Sequence, residues 1–347
     1  KFGIEESGPA APRYTKIKAN NFIEELAFKY VNYVPWKPDE ASPEPVIIPT
    51  MIPFCLFSKY ETNTIAAGFK VSIPNFKLND LIDRLFDLLN NKKPKTIYPN
   101  IQGCKILSTD EEIERILTKG KGVIKLQGLF KEDRQNFSIE ILGWAPRCSF
   151  GYNYKSYNLL TSGEIGFRDL STTSTRVKFE VNKARNREDA YNKMCEAIKN
   201  ALIAQLNYEI FVVNTKSKVV RSSVDQMLVK SFQFYQAVLK KYFQETIKDI
   251  DKKIDEYNII EKIRGHISGL ISKHQSDIEK ILDDLANLTN IEKDKIKDVI
   301  EKYKIKKLFS VKTDTDDLKK EKDENNKNLN DILNYAKKEY ADVRKKL

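Results

Sequence analysis

A phenol beside fixed positive charge can attack a phosphodiester, and Arg13-Tyr14 places those two groups side by side. The guanidinium would stabilise charge growing on the phosphate, and the tyrosine would end up covalently bound to it. Lys16 and Lys18 follow within a helical turn. Pro12 keeps the preceding segment out of a helix and fixes the approach to Tyr14. The alternative is an exposed aromatic in a basic helix. With 16 tyrosines and 60 lysines and arginines, such pairs also arise by chance.

The elements that must position this pair are legible in outline. From about Thr15 to Tyr33, Ile17, Phe22, Ile23, Leu26, Phe28 and Tyr30 recur in a helical pattern. A proline-dense run over 35–53 follows. It contains Val46-Ile47-Ile48 and Met51-Ile52, which predict packed extended chain rather than a linker. Residues 78–90 form an amphipathic pattern built on Leu78, Leu81, Ile82, Leu85, Phe86, Leu88 and Leu89. Thr109-Asp-Glu-Glu112 is a capping-type start for a second helix, continued by Ile113, Ile116 and Leu117.

Alternation over 123–130 and 137–144 predicts two strands paired across a Lys131–Asn136 turn. A further strand is predicted at 176–181, and a helix over 187–202 with Tyr191, Met194, Cys195, Ile198 and Leu202 inward. A second hairpin is predicted from 210–215 and 218–221. Mixed strands and helices over roughly 41–222 indicate an α/β or α+β domain.

From about Val224 the pattern is helical. Phe232, Tyr235, Leu239, Phe243, Ile247, Ile250, Ile254 and Tyr257 recur at steps of three and four. So do Leu329, Ile332, Ala336, Tyr340, Val343 and Leu347. Two long helices are expected, paired as an antiparallel coiled-coil arm. Short apolar clusters over 259–310, broken by Gly265 and Gly269, predict a helical globule at its far end. The Asp314–Lys327 charge cluster reads as solvated.

Lysine plus arginine exceed aspartate plus glutamate by 60 to 49, a net charge of +11 that favours a polyanionic partner. Cys55, Cys104, Cys148 and Cys195 are dispersed, which suits a reducing compartment and makes no metal-ligand pair. His266 and His274 share one helical stretch with no third ligand, so no metal site is expected. No apolar run reaches the ~20 residues that span a bilayer. The start at Lys1-Phe2-Gly3 reads as the middle of a longer chain.

In this order the pieces resemble the breakage-reunion (A-type) subunit of type IIA DNA topoisomerases, of the gyrase and topoisomerase IV kind. Phe2-Gly3 and Ala10-Ala-Pro-Arg-Tyr-Thr15 are similar to the active-site tyrosine motif. Glu44-Pro45, Ile48-Pro49 and Pro53 follow the family's proline run. Ile65-Ala66-Ala67-Gly68 through Ser72-Ile73-Pro74 resemble its Gly-Ile-Ala-Val-Gly…Asn-Ile-Pro segment. Gly166-Phe-Arg-Asp-Leu-Ser171 is similar to Asp-Leu-Arg-Asp-Glu-Ser.

The resemblance implies a multidomain α+β fold. Residues 1–40 would end a winged-helix domain, 41–222 would form an α/β tower domain, and 223–347 the coiled-coil arm with a helical C-gate globule at about 259–316. It implies that Tyr14 is the nucleophile, leaving a 5′-phosphotyrosyl link and a free 3′-hydroxyl. Arg13 would hold the scissile phosphate, Thr15, Lys16 and Lys18 would bind the DNA backbone, and Ile65 would wedge between base pairs. Mg²⁺ and ATP are expected on a B-type ATPase/Toprim partner rather than here. The expected assembly is A₂B₂ on double-stranded DNA, closed through the C-gate, in the cytoplasm or nucleoid (the host's, if phage-encoded).

Several positions depart from the family pattern. Thr64 stands where a glycine precedes the wedge, the Lys59–Asn63 loop is longer, and Gly143-Trp-Ala-Pro146 replaces Thr-Glu-Ile-Pro. Most of the winged-helix domain would precede Lys1. With no β-pinwheel after the second arm, relaxation and decatenation are expected over negative supercoiling. Two other readings stay open at this point. One is a non-enzymatic coiled-coil DNA-organising protein. The other is a tyrosine recombinase, which would use several arginines and a histidine around its tyrosine, whereas the first histidine here is His266.

Overall fold

The computed structural model describes residues 13, 21–38, 43–58, 62–66, 68–148, 163–214, 218–274 and 277–346, except for the side chains of 62–66, 69 and 306. Two compact units emerge. The first comprises Lys1–Lys29, Thr50–Gln233 and Asp342–Leu347, the second Tyr30–Pro49 and Phe234–Ala341.

The first unit is α+β. Its strands are β1 (Thr62–Ala66), β2 (Phe69–Ile73), β3 (Cys104–Ile106), β4 (Lys121–Gly128), β5 (Phe130–Asp133), β6 (Ser138–Ile141), β7 (Ile165–Asp169), β8 (Val177–Val181), β9 (Ile203–Glu209), β10 (Phe211–Val213) and β11 (Val219–Arg221). Helices α1 (Leu78–Leu89), α2 (Asp110–Lys119) and α3 (Arg187–Ala201) are interleaved, and α4 (Val224–Lys273) begins here. One sheet has the order β1-β2-β9-β4-β3, a second β5-β6-β8-β7, and β10-β11 form a separate hairpin. Every ladder is antiparallel.

The expected pairing of 123–130 with 137–144 is not the one formed. Lys121–Gly128 pairs with Ile203–Glu209, and Phe130–Asp133 is the strand that faces Ser138–Ile141. The long alternating run is divided at Gly128-Leu129, where the chain leaves one sheet for the other. A Cβ at Gly128 would lie 2.6 Å from the Gly143 carbonyl oxygen and 2.9 Å from Leu202. The Gly143-Trp-Ala-Pro146 departure also has a steric basis: a Cβ at Gly143 would come 2.4 Å from the Gly103 carbonyl oxygen.

The remaining elements of this unit form close to where the pattern places them. Helix α1 buries Leu78, Leu81, Ile82 and Leu85. Helix α2 starts with the expected capping box: the Glu112 N–H donates to the Thr109 hydroxyl, and the Thr109 N–H donates to the Glu112 carboxylate. Helix α3 turns Tyr191, Met194, Cys195 and Ile198 onto Ile139, Ile141, Val177 and Phe179 of the second sheet. Helix α2 ends at Gly120, whose φ of +69° continues in the left-handed region. A side chain there would also sit 1.7 Å from the Ser222 carbonyl oxygen. Gly120→Ala is therefore expected to cost about 2 kcal/mol or more, strain and clash together, readable as a lowered denaturant midpoint.

The predicted helix over 15–33 is not continuous in its described part. Asn21–Ile23 is a single turn, Glu24–Phe28 widens to a π-helical turn, and Val31–Tyr33 closes as a 3₁₀ turn. Widening rotates the face presented to the core: Leu26, Ala27 and Tyr30 are buried, while Phe28 is 38 % exposed. The proline run is only partly packed. Met51 and Ile52 are buried, but Val46, Ile47 and Ile48 are exposed. Trp36–Lys37 and Glu44–Pro45 make a short ladder there.

In the second unit, α4 continues without interruption through Gly265 and Gly269. Burial of Ile263, Ile267 and Leu270 on the same helix outweighs the roughly 1 kcal/mol that each interior glycine costs. Three helices, α5 (Ile278–Thr289), α6 (Lys293–Tyr303) and α7 (Ile305–Leu308), pack onto this end of α4. Their core includes Ile281, Leu285, Ile296, Ile300 and Leu308. The return is two helices rather than one: α8 (Asp316–Asn330), which buries no residue, and α9 (Ile332–Lys345). Tyr30, Tyr33, Tyr235, Tyr242, Phe243, Tyr335 and Tyr340 interlock by ring contacts of 4.9–5.9 Å. Glu339 accepts from the hydroxyls of both Tyr30 (2.9 Å) and Tyr235 (2.6 Å). Burial, followed by the Glu339 charge, pushes both phenols well above their ordinary value.

Candidate nucleic-acid interface

Of the residues expected to do chemistry, Tyr14, Thr15, Lys16 and Lys18 lie outside the described residues. Arg13 is exposed, with its backbone in a helical-turn conformation. The chain after it is secured within the first unit. Leu26 and Ala27 are buried, the Met51 N–H donates to the Leu26 carbonyl at 3.1 Å, and Glu25 pairs with Lys346 at 2.5 Å.

Ile65 is the fourth residue of β1, directly opposite Lys70 of β2. Its side chain is outside the described set. Between strands β1 and β2, Gly68 supplies a φ of +80°. Strand β2 joins the sheet through one rung only, Ser72 opposite Glu209, and β1 is an edge strand. The Ile65–Lys70 rung therefore sits on a two-stranded ribbon that extends past the last rung with β9. Such a ribbon is marginal alone, so its root matters. Asn75 is buried there. Its amide donates to the Ser58 carbonyl at 2.7 Å, and its own carbonyl accepts from the Asn100 N–H at 2.8 Å. The Phe76 N–H donates to the Leu56 carbonyl at 2.6 Å. A projecting ribbon with a rigid root can insert a side chain into a groove without repacking the sheet.

The same unit contains a buried ionic junction. Arg84, on α1, is 1 % exposed. Its five N–H donors are all used. Two go to the Asp225 carboxylate (2.6 and 2.9 Å), two to Glu114 (2.9 Å each), and one to the Lys95 carbonyl (2.9 Å). One guanidinium thus ties α1 to α2 and to the first turn of α4. Burial works to lower its pKa, but the hydrogen bonds it donates to Asp225 and Glu114 outweigh it and raise the value. For Glu114, burial pushes upward, and the Arg84 hydrogen bond turns the net shift downward. The signal for this junction was available: position 84 shares the buried face of Leu81 and Leu85, and a charge on an apolar stripe requires partners.

Among the described residues, no three His, Cys, Asp or Glu side chains are grouped so as to hold a metal ion. No helix among them is long and apolar enough to cross a membrane. An α+β unit carrying a projecting hairpin, joined in sequence to a unit of long helices, is one frame in which a DNA-handling protein can be built. The family model for the A subunit of DNA gyrase/topoisomerase IV matches residues 1–346, and the chain belongs to that family. It is similar to the A subunit of DNA topoisomerase 4 from Synechocystis sp., 22 % identical over 282 residues, covering 73 % of this chain and 30 % of that protein. It is similar to the A subunit of DNA gyrase from Brachyspira hyodysenteriae, 24 % identical over 344 residues, covering 87 % of this chain and 40 % of the relative. A mitochondrial DNA topoisomerase 2 of Dictyostelium discoideum is 28 % identical over 284 residues, 77 % of this chain and 21 % of its own length. The chain thus spans well under half the length of these relatives.

Proposed function

We propose that this chain is the DNA cleavage-religation part of a type IIA topoisomerase. The observation that carries the reading is the family match over residues 1–346; the Arg13-Tyr14 pair resembles the family's tyrosine motif. The Tyr14 oxygen attacks a backbone phosphorus. A phosphorus–tyrosyl oxygen bond forms and the bond to the 3′ oxygen breaks. The phenol loses its proton and the 3′ oxygen gains one. The bond energy stays in the phosphotyrosine, so the reverse attack religates without ATP. Arg13 holds the scissile phosphate, where its charge offsets the charge that builds in the transition state. Thr15, Lys16 and Lys18 bind neighbouring phosphates, which fixes register without reading sequence. Ile65 enters a base step from the projecting ribbon. Unstacking costs a few kcal/mol, offset by contacts the bend permits.

The described residues offer no cluster suited to Mg²⁺. The ion and ATP are assigned to a B-type ATPase/Toprim partner in an A₂B₂ assembly. Helices α4, α8 and α9 serve as an antiparallel coiled-coil arm, and the α5–α7 globule as the homodimer contact. Transient double-strand cleavage then supports duplex passage for relaxation and decatenation, in the cytoplasm or nucleoid.

The test is a cleavage-complex assay. The chain and a B-type partner are mixed with supercoiled plasmid and Mg²⁺, stopped with detergent and digested with protease. Linear DNA with blocked 5′ ends is the expected product. DNA binding without any covalent product would sink the proposal and favour a DNA-organising role.

A further inference from the structure

The segment that follows Tyr14 in sequence is gripped by one helix, α9, on either side of its π turn. At the far end, the two oxygens of the Glu339 carboxylate take two different phenols. Oε1 accepts from the Tyr30 hydroxyl at 2.9 Å and Oε2 from the Tyr235 hydroxyl at 2.6 Å. Both rings are buried. At the near end, the Glu25 carboxylate takes the Lys346 ammonium at 2.5 and 2.6 Å. Lys346 stands one residue past the end of α9, and its N–H donates to the Val343 carbonyl, which prolongs the last turn. At about 3.6 residues per turn, positions 339 and 346 fall on one side of the helix. Between them Arg344 pairs with Asp83 of α1 at 2.5 Å.

What lies between the two grips is unusual. Among the described residues, Glu24–Phe28 is the only π-helical stretch. Single π turns are rare and concentrate at functional sites. The grips fall at Glu25, inside this turn, and at Tyr30, just beyond it, while Leu26 and Ala27 are buried between them. The two grips are unequal. The Glu25 pair is exposed and holds little by itself. Glu339 is the strong member, because its acceptor bonds are charge-assisted and both donors are buried. Tyr235 belongs to α4, so one carboxylate ties Tyr30 to α4 and α9 at once. Tyr242, also of α4, stands 5.0 Å from the Tyr30 ring and 5.1 Å from Tyr33. The direction in which the chain leaves this joint toward Tyr14 is therefore set by α9.

We infer that Glu339 is a positioning residue for DNA cleavage: through Tyr30 it fixes the segment that carries Tyr14, and Lys346 steadies the near end of that segment. The inference rests on the reading that Tyr14 is the nucleophile. Misplacing a reacting group by about 1 Å can cost about 10²-fold in rate. The test is single-turnover cleavage of a saturating duplex by the full chain with a B-type partner and Mg²⁺, alongside duplex affinity by fluorescence anisotropy. Tyr30→Phe removes the bond that holds the segment. Tyr235→Phe removes the other bond to the same carboxylate and leaves the segment held. Tyr30→Phe should slow cleavage by about 10–100-fold with affinity within about twofold of wild type, and Tyr235→Phe should slow it by less than about threefold. Lys346→Glu should slow cleavage about threefold, the scale of one exposed ion pair, and adding Glu25→Lys should restore the rate. Circular dichroism sets a temperature at which all variants are folded. A Tyr30→Phe protein that cleaves like wild type would overturn the inference and leave the cleavage reading standing. Equal slowing by Tyr30→Phe and Tyr235→Phe would reduce Glu339 to a general stability role and overturn it too. A charge swap that restores nothing would overturn the part assigned to Lys346. A wild-type chain that forms no covalent product would remove both readings.

Discussion

Tyr14→Phe should abolish covalent DNA cleavage while leaving duplex binding within about twofold of wild type. The substitution removes one oxygen, the only atom able to form the ester, and nothing adjacent can replace it: Thr15 carries a hydroxyl on a shorter, β-branched stem, and Lys16 an ammonium. Loss of a nucleophile that acts as part of a unit typically costs 10⁴-fold or more in rate. In a plasmid assay this means no linear DNA above background. Affinity should persist because the phosphate contacts proposed for Arg13, Lys16 and Lys18 would be untouched. Arg13→Ala should give a distinct pattern, with cleavage slowed by about 10²–10³-fold, the scale of one lost charge-stabilising donor, but the product still formed. A Tyr14→Phe protein that still forms blocked 5′ ends would assign the chemistry to another of the 16 tyrosines.

Local signals were reliable where the physics is local. The Thr109–Glu112 capping box, the apolar face of α1 and the inward residues of α3 form from contacts three or four residues apart, and all three formed as read. Strand partners were not legible. Alternation states which face a residue takes, never which strand lies beside it, and the partner of Lys121–Gly128 is some eighty positions later in sequence. The same holds for Gly265 and Gly269: their helix cost is a local property, and the buried isoleucines that overcome it draw on α5–α7. The site divides in the same way. Arg13-Tyr14 and the Ile65 segment could be picked out from residue order. The single-rung attachment of the Ile65 ribbon needs the ladder registers.

Arg84 was passed over for a related reason, and its replacement should have the largest effect on stability. Glu114 is 30 positions away and Asp225 is 141, so no window of sequence brings the three together. Arg84→Met keeps much of the buried volume but removes five donors. The two carboxylates then face each other without a cation, and the Lys95 carbonyl loses a partner. Breaking a buried ionic group by removing one member costs about 3–5 kcal/mol. At ~2–4 °C per kcal/mol for a unit of this size, melting should fall by roughly 10 °C. Adding Glu114→Gln and Asp225→Asn should recover a large part, because the repulsion goes with the charges. The pH dependence fixes the sign. Folding lowers the Glu114 pKa, so its contribution is fully present above the ordinary glutamate value of ~4.3 and is lost as pH falls through the folded value. In Arg84→Met that shift reverses, since burial and Asp225 both favour the protonated acid. The stability gap between wild type and Arg84→Met should therefore be widest near neutrality and narrow steadily below about pH 5. A gap that does not change with pH would mean that Arg84 acts by filling space, and that α1, α2 and the start of α4 are joined by packing rather than by charge.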